Sequence, residues 1–178
     1  EDGGEEHPEI YALASGNLGL VSFTQWSERM TLEEINEAFP AVIPGLVQHE
    51  GVGFLMIATE SEGAVVIGAN GRYYLEGDRI EGENPLALFS PNAAQHLRRT
   101  NSFPNCPDIL VNSYYDPETN EGCAFEELIG FHGGMGGYQT QPFILHPTEL
   151  KAEGELIGAA SVYRLCKGWL NQMQNGAE

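Results

Sequence analysis

Val52-Gly53-Phe54-Leu55-Met56-Ile57-Ala58, followed by Ala64-Val65-Val66-Ile67-Gly68 and Arg72-Tyr73-Tyr74-Leu75, is the stretch whose reading decides the fold. Short apolar runs bounded by turn residues read as strands buried within a sheet. The last two runs are joined through Ala69-Asn70-Gly71. An Asn-Gly pair between apolar runs signals a hairpin, because both residues tolerate positive φ.

Working outward, Ile10 to Ala14 reads as another buried strand, delivering the loop Ser15-Gly16-Asn17 to the sheet edge ahead of Leu18 to Phe23. Thr31 and Glu34 have capping-box spacing, so a helix starts there, and Pro40 and Pro44 break or kink it. Ser90-Pro91 opens a short helix running toward Arg99. Ile109 to Tyr115 is a further strand, ended by the turn-rich Asp116 to Gly122, and Pro142 to Leu145 is expected to be a short strand entering Pro147. Leu156, Ala160, Tyr163, Cys166, Leu170 and Met173 recur at helical spacing and predict a final amphipathic helix that docks by this face. Strands and helices interleave, which predicts a single α/β domain over 10–178, one central sheet flanked by helices, behind a flexible acidic tail at 1–9.

The 178 residues are 42% apolar, enough to build a core and to argue against disorder. The formal net charge of −18, from 26 acidic and 8 basic residues, repels phosphate backbones and anionic membrane surfaces. Nucleic acid and direct membrane contact are therefore not expected, and the chain reads as a soluble domain. The acidic profile equally suits a salt-adapted surface. Cys106, Cys123 and Cys166 are widely spaced and form no CxxC pair, so neither a disulfide framework nor a zinc knuckle follows. The start at Glu1, with Glu1-Asp2-Gly3-Gly4-Glu5-Glu6 ahead of the first apolar run, suggests a piece whose upstream partner is the rest of the same polypeptide, or a processed terminus.

The strongest local feature is Gly130-Phe131-His132-Gly133-Gly134-Met135-Gly136-Gly137. Glycines allow close backbone approach and a neutral imidazole is a frequent metal ligand or acid/base group, which makes His132 the leading candidate. The bland alternative is a surface histidine in a flexible loop. Ser15-Gly16-Asn17-Leu18-Gly19 ends the first strand, where open sheets commonly carry ligands, and its alternative is a tight turn. Asp108 either orients a histidine or caps the start of the strand it precedes. Asp116, Glu118, Asn120 and Glu121 are oxygen-rich, but Gly122 arrives one position late for an EF-hand, so they read as a solvated turn. His96-Leu97-Arg98-Arg99 suits a helix end. His49 and His146 read as capping or surface residues. GxSxG, P-loop, HExxH and Cys/His clusters do not occur.

Leu13-Ala14-Ser15-Gly16-Asn17-Leu18-Gly19, Pro107 to Ser113, Ala124-Phe125-Glu126-Glu127-Leu128, and His132-Gly133-Gly134 with Gln139-Thr140-Gln141-Pro142-Phe143 together resemble the C-terminal part of bacterial type I phosphodiesterase/nucleotide pyrophosphatase-like proteins, of the alkaline phosphatase superfamily. The likeness runs from about Ile10 to about Trp169. It implies the C-terminal portion of an alkaline-phosphatase-like α/β fold, with two divalent metals, usually zinc, holding a phosphoryl group against a Ser or Thr nucleophile. It carries His132 onto the family's last metal-binding histidine, with Gly133 and Gly134 in the same ligand loop. The family's Ser-Asp-His-Gly loop falls on Ser15-Gly16-Asn17-Leu18. Here Gly16 replaces the aspartate and Asn17 the histidine, so Asn17 is at most a poor ligand. The resemblance implies that the nucleophile and remaining ligands lie upstream, that no catalytic residue is in this chain, and that zinc or another divalent metal is held only by the complete parent protein. Phosphoester or nucleotide substrates, and membrane attachment of the parent outside these residues, are further implications. The competing reading is a non-catalytic binding or structural domain.

Overall fold

The expected hairpin forms, with Ala64–Gly68 antiparallel to Gly71–Tyr74, but its turn is Ala69-Asn70: Gly68 faces Gly71, which already belongs to the second strand, and neither Asn70 nor Gly71 takes the positive φ that the Asn-Gly signal rests on. The computed structural model describes residues 9–175. The expected tail at 1–9 lies outside them except for Glu9. In chain order the elements are β1 (Ile10–Ser15), β2 (Leu18–Phe23), α1 (Leu32–Ala38), α2 (Val42–Val47), β3 (Val52–Ala58), β4 (Ala64–Gly68), β5 (Gly71–Tyr74), β6 (Arg79–Gly82), α3 (Ala93–Asn101), β7 (Ile109–Ser113), β8 (Tyr115–Asp116), β9 (Glu121–Gly122) and α4 (Gly158–Asn175). No helix among the described residues is long and apolar enough to cross a membrane.

The first seven strands form one sheet in the order β1-β2-β7-β3-β4-β5-β6, and every neighbouring pair is antiparallel. Strands β8 and β9 make a separate two-stranded hairpin. This overturns the expected alkaline-phosphatase-like α/β architecture: the molecule is mixed α+β, and its sheet is not the parallel one of that superfamily. The physical reason lies in the covered faces. Continuous apolar runs are typical of parallel strands because both of their faces are covered by helices. Here an antiparallel sheet is covered on both faces, so its central strands carry the same signature. Leu55, Ile57, Val65, Ile67, Ile109 and Val111 pack with Leu32 and Ile35 of α1 and Ile43 of α2. Phe54, Met56, Val66 and Leu110, alternating with them, pack with Ala93 and Leu97 of α3. Every residue of β4 and β7 is buried.

Local signals mostly hold. The Thr31–Glu34 capping box forms at the start of α1, with both reciprocal bonds present. Pro40 separates α1 from α2. Pro44 is accommodated inside α2 because it occupies the first turn, where its missing N–H has no intrahelical partner to lose. Other expectations fail. The helix expected to open at Ser90-Pro91 begins instead at Ala93, behind Asn92. Strand β1 is exposed along its whole length rather than buried, because it is the edge of the sheet. Pro142 to Leu145 forms no strand. On α4 the predicted docking stripe is exposed at Ala160, Tyr163, Cys166, Leu170 and Met173, whereas the half-buried residues include Val162, Leu165 and Trp169. The chain divides into two compact units between Gln141 and Pro142. Within the second unit the Trp169 indole N–H donates to the Lys151 carbonyl at 2.8 Å, and the ring packs against His146 at 4.8 Å between centroids.

Candidate functional site

Two buried asparagines build the candidate site, and each acts as a substitute for backbone. Gly16 and Asn17 are the turn of the β1–β2 hairpin, with Ser15 opposite Leu18 and Gly16 at φ +60°. Asn17 is completely buried. Its backbone N–H donates to the His132 carbonyl at 2.7 Å, and its carbonyl accepts from Ser113 N–H at 3.0 Å. Its side-chain Oδ1 accepts from Gly134 N–H at 2.8 Å and from the Gln139 amide at 3.2 Å, while Nδ2 donates to the Met135 carbonyl at 2.9 Å. Asn112, near the end of β7, grips the same loop: its Oδ1 accepts from Met135 N–H at 2.6 Å and its Nδ2 donates to the Met135 carbonyl at 3.1 Å. These bonds satisfy buried polar groups that a loop cannot satisfy by itself.

The glycines let the two loops touch. A Cβ on Gly134 would sit 2.5 Å from Asn112 Oδ1 and 2.9 Å from the Asn17 carbonyl oxygen. Gly16 and Gly133, both at positive φ, would drive a Cβ into the His132 and Ser15 carbonyls respectively. On the outer side Gly16 N–H donates to Glu126 Oε1 at 2.6 Å, and the Gly16 carbonyl accepts from Phe125 N–H at 2.7 Å. His132 thus has a rigidly held backbone. Its side chain is exposed, and its imidazole has no hydrogen-bond partner among the described residues.

The Ser15-Asn17 and His132-Gly134 loops, the two that the resemblance assigns to ligand positions, are thus in direct contact. Asn17, however, has its amide committed to protein groups. Asp108 lies elsewhere, at the opposite end of β7 from Asn112. Its buried carboxylate accepts from Phe23 N–H at 2.7 Å and Met30 N–H at 2.5 Å, fastening the chain between β2 and α1 to the head of β7. It orients backbone and not a histidine. Among the described residues no group of three His, Cys, Asp or Glu side chains is placed to hold a metal ion.

Beside the glycine loop a cleft of about 500 Å³ is lined by Asn120, Glu121, Gly130, Phe131, Tyr138 and Gln139. Between Arg99 and Lys151 the sequence has no Lys or Arg, so the segments lining the cleft bring acidic and amide groups and no cation of their own. The turn at Asp116 to Gly122 is the β8–β9 hairpin, with Asp116 Oδ1 accepting from Glu118 N–H at 2.8 Å. His49 Nδ1 accepts from Gly51 N–H at 3.0 Å and closes a turn. Arg98 donates to the Leu75 carbonyl at 2.6 Å and pairs with Asp78, so it is engaged in structure at the end of α3.

Sequence reasoning missed Asn112, Glu126 and Gln139 as builders of the site. The available signal was the polar pair Asn112-Ser113 closing an otherwise apolar strand, since a buried amide must find partners. No protein-family model, no curated protein and no solved structure matches this chain.

Proposed function

We propose that the chain works as the C-terminal portion of a metal-dependent phosphodiesterase/nucleotide pyrophosphatase-like hydrolase, contributing His132 to a composite metal centre. One observation carries this reading: the His132 backbone is locked by Asn17 while its exposed imidazole has no hydrogen-bond partner among the described residues. A ligand held in place before binding loses little freedom when it coordinates. Catalytic zinc usually takes three protein ligands. The described residues offer one, so they do not make a metal site by themselves. On this reading the remaining ligands and the nucleophile are supplied from outside the described residues.

The competing reading, a non-catalytic binding or structural domain, is favoured by Asn17, whose amide is spent entirely on loop backbone and Gln139. The experiment compares this chain with the intact parent polypeptide on bis(4-nitrophenyl) phosphate, with added zinc or manganese. This chain alone is expected to show no turnover. The parent is expected to turn over, with His132→Ala lowering the rate at least about a hundredfold and lowering bound zinc. A parent whose rate and zinc content ignore His132→Ala overturns the assignment. A parent with neither turnover nor bound zinc establishes the non-catalytic reading.

A further inference from the structure

We infer that the open edge of β1 is a docking site for an extended, basic strand donated by a separate protein. This goes beyond the proposed hydrolase role and does not depend on it. Strand β1 pairs on one side only, with β2, and among the described residues no strand covers its other edge. Ser15 faces Leu18 across a two-residue turn, and Thr24 N–H donates to the Glu9 carbonyl at 3.0 Å. Antiparallel pairing alternates, so the groups bonded to β2 belong to Glu9, Tyr11, Leu13 and Ser15. The N–H and C=O groups of Ile10, Ala12 and Ala14 face outward.

Edges of this kind template strand addition unless blocked by lysine, proline, a bulge or a covering element. Strand β1, Ile-Tyr-Ala-Leu-Ala-Ser, has none of these sequence or pairing defences: it contains no lysine or proline, and its register with β2 is unbroken. It is also apolar where it is open, with Ile10 44%, Tyr11 39% and Leu13 61% exposed. Backbone hydrogen bonds would supply affinity, and the apolar side chains on alternate faces would supply selection.

Charge chooses the occupant. The ends of the edge are acidic, with Glu9 at one end and Glu126, bonded to Gly16, at the other, next to Glu127. A second copy across a twofold axis would bring acid against acid between two chains of charge −18. The residues preceding Glu9 include Glu1, Asp2, Glu5 and Glu6 and no Lys or Arg, so they offer no complementary charge either. A foreign strand with apolar alternate positions and lysine or arginine at its ends fits both the backbone and the field.

The test titrates the chain with three synthetic peptides: alternating Val-Thr with lysine at each end, the same with glutamate ends, and the lysine peptide N-methylated at alternate amides. Amide exchange is read by NMR, with β3 and β7 as controls for folding. The lysine peptide is expected to slow exchange at Ala12 and Ala14 at least about tenfold. It should bind at least about tenfold more tightly than the glutamate peptide and lose affinity in salt. N-methylation should abolish binding, as should Ala12→Pro in a chain whose β3 and β7 amides remain protected. Unchanged exchange at Ala12 and Ala14 with all peptides overturns the inference. So does protection of those amides in the free monomer, which would mean that another segment of the chain covers the edge. Self-association abolished by Ala12→Pro would assign the edge to a second copy instead.

Discussion

At the scale of single residues, Asn17 and His132 separate the roles of holding and presenting. Truncating Asn17 to alanine removes the acceptor of Gly134 N–H and the donor to the Met135 carbonyl, in a position with no access to water. The Met135 carbonyl keeps its bond from Asn112 Nδ2, so Gly134 N–H is the group left without its partner; such a group costs on the order of 1 to 3 kcal/mol, and Asn17→Ala is expected to lower stability by that much, measured by urea unfolding. His132→Ala removes an exposed ring without partners and is expected to change stability by less than about 0.5 kcal/mol. That pairing makes an activity loss on His132→Ala attributable to chemistry and not to folding. The glycines give a matching contrast. Gly134→Ala collides with Asn112 and with backbone, whereas a Cβ on Gly45 in α2 meets nothing, so Gly45→Ala should stabilise by up to about 1 kcal/mol. Cys106 is buried, which raises its thiol pKa above 9.0; Arg29 lowers it less and Asp108 adds to the rise. Cys123 and Cys166 are exposed. In the native chain a maleimide should therefore modify Cys123 and Cys166 and spare Cys106; rapid modification of Cys106 would contradict the packing beneath α3.

At the scale of elements, α3 is held down by a surface cluster whose pH dependence has a definite sign. Arg98 donates to Asp78 and to the Leu75 carbonyl, and Tyr73 also donates to Asp78. The Tyr73 hydroxyl and then Arg98 lower the Asp78 pKa below its ordinary 3.8. A carboxyl depressed in the folded state contributes stability above its unfolded pKa and loses it as pH falls through the folded value. Asp78→Asn is therefore expected to destabilise the chain at neutral pH and to shrink the loss of stability below pH 3.8. Urea midpoints measured on both sides of that value check it. The group is fully exposed, so ionic strength should diminish the effect. The cap of α1 behaves with the same sign, since the Thr31 backbone N–H and then its hydroxyl hold the Glu34 carboxyl below its ordinary 4.5.

At the scale of the whole molecule, burial is graded across the sheet. Strands β4 and β7 are buried at every residue, whereas β1 and β6 are exposed at every residue. Native-state hydrogen exchange should follow that gradient, with the ladder of β3, β4 and β7 opening only on global unfolding and β1 opening locally. Exchange at β1 as slow as at β7 would mean that the edge is covered in solution. The same gradient explains why the candidate site is firm: Asn112 and Ser113 belong to β7, buried along its whole length, and they anchor the turn at Asn17 and the loop at Met135.

Much of this was legible in the sequence because it is local. The β4–β5 hairpin, the Thr31–Glu34 cap, the apolar runs of β3, β4 and β7 and the glycine loop around His132 follow from turn signals, capping chemistry and hydrophobic patterning within a few residues. Strand direction, the exposure of β1 and the identity of the half-buried face of α4 were decided only by tertiary structure. Burial on both faces leaves the same apolar run whether neighbours are parallel or antiparallel, and an edge strand differs from a central one only by the partner it lacks. The locking of His132 by Asn17 and Asn112 belongs to the same class. Its bonds join residues 23 to 122 positions apart, a convergence that no local pattern encodes and that the order of strands in the sheet creates.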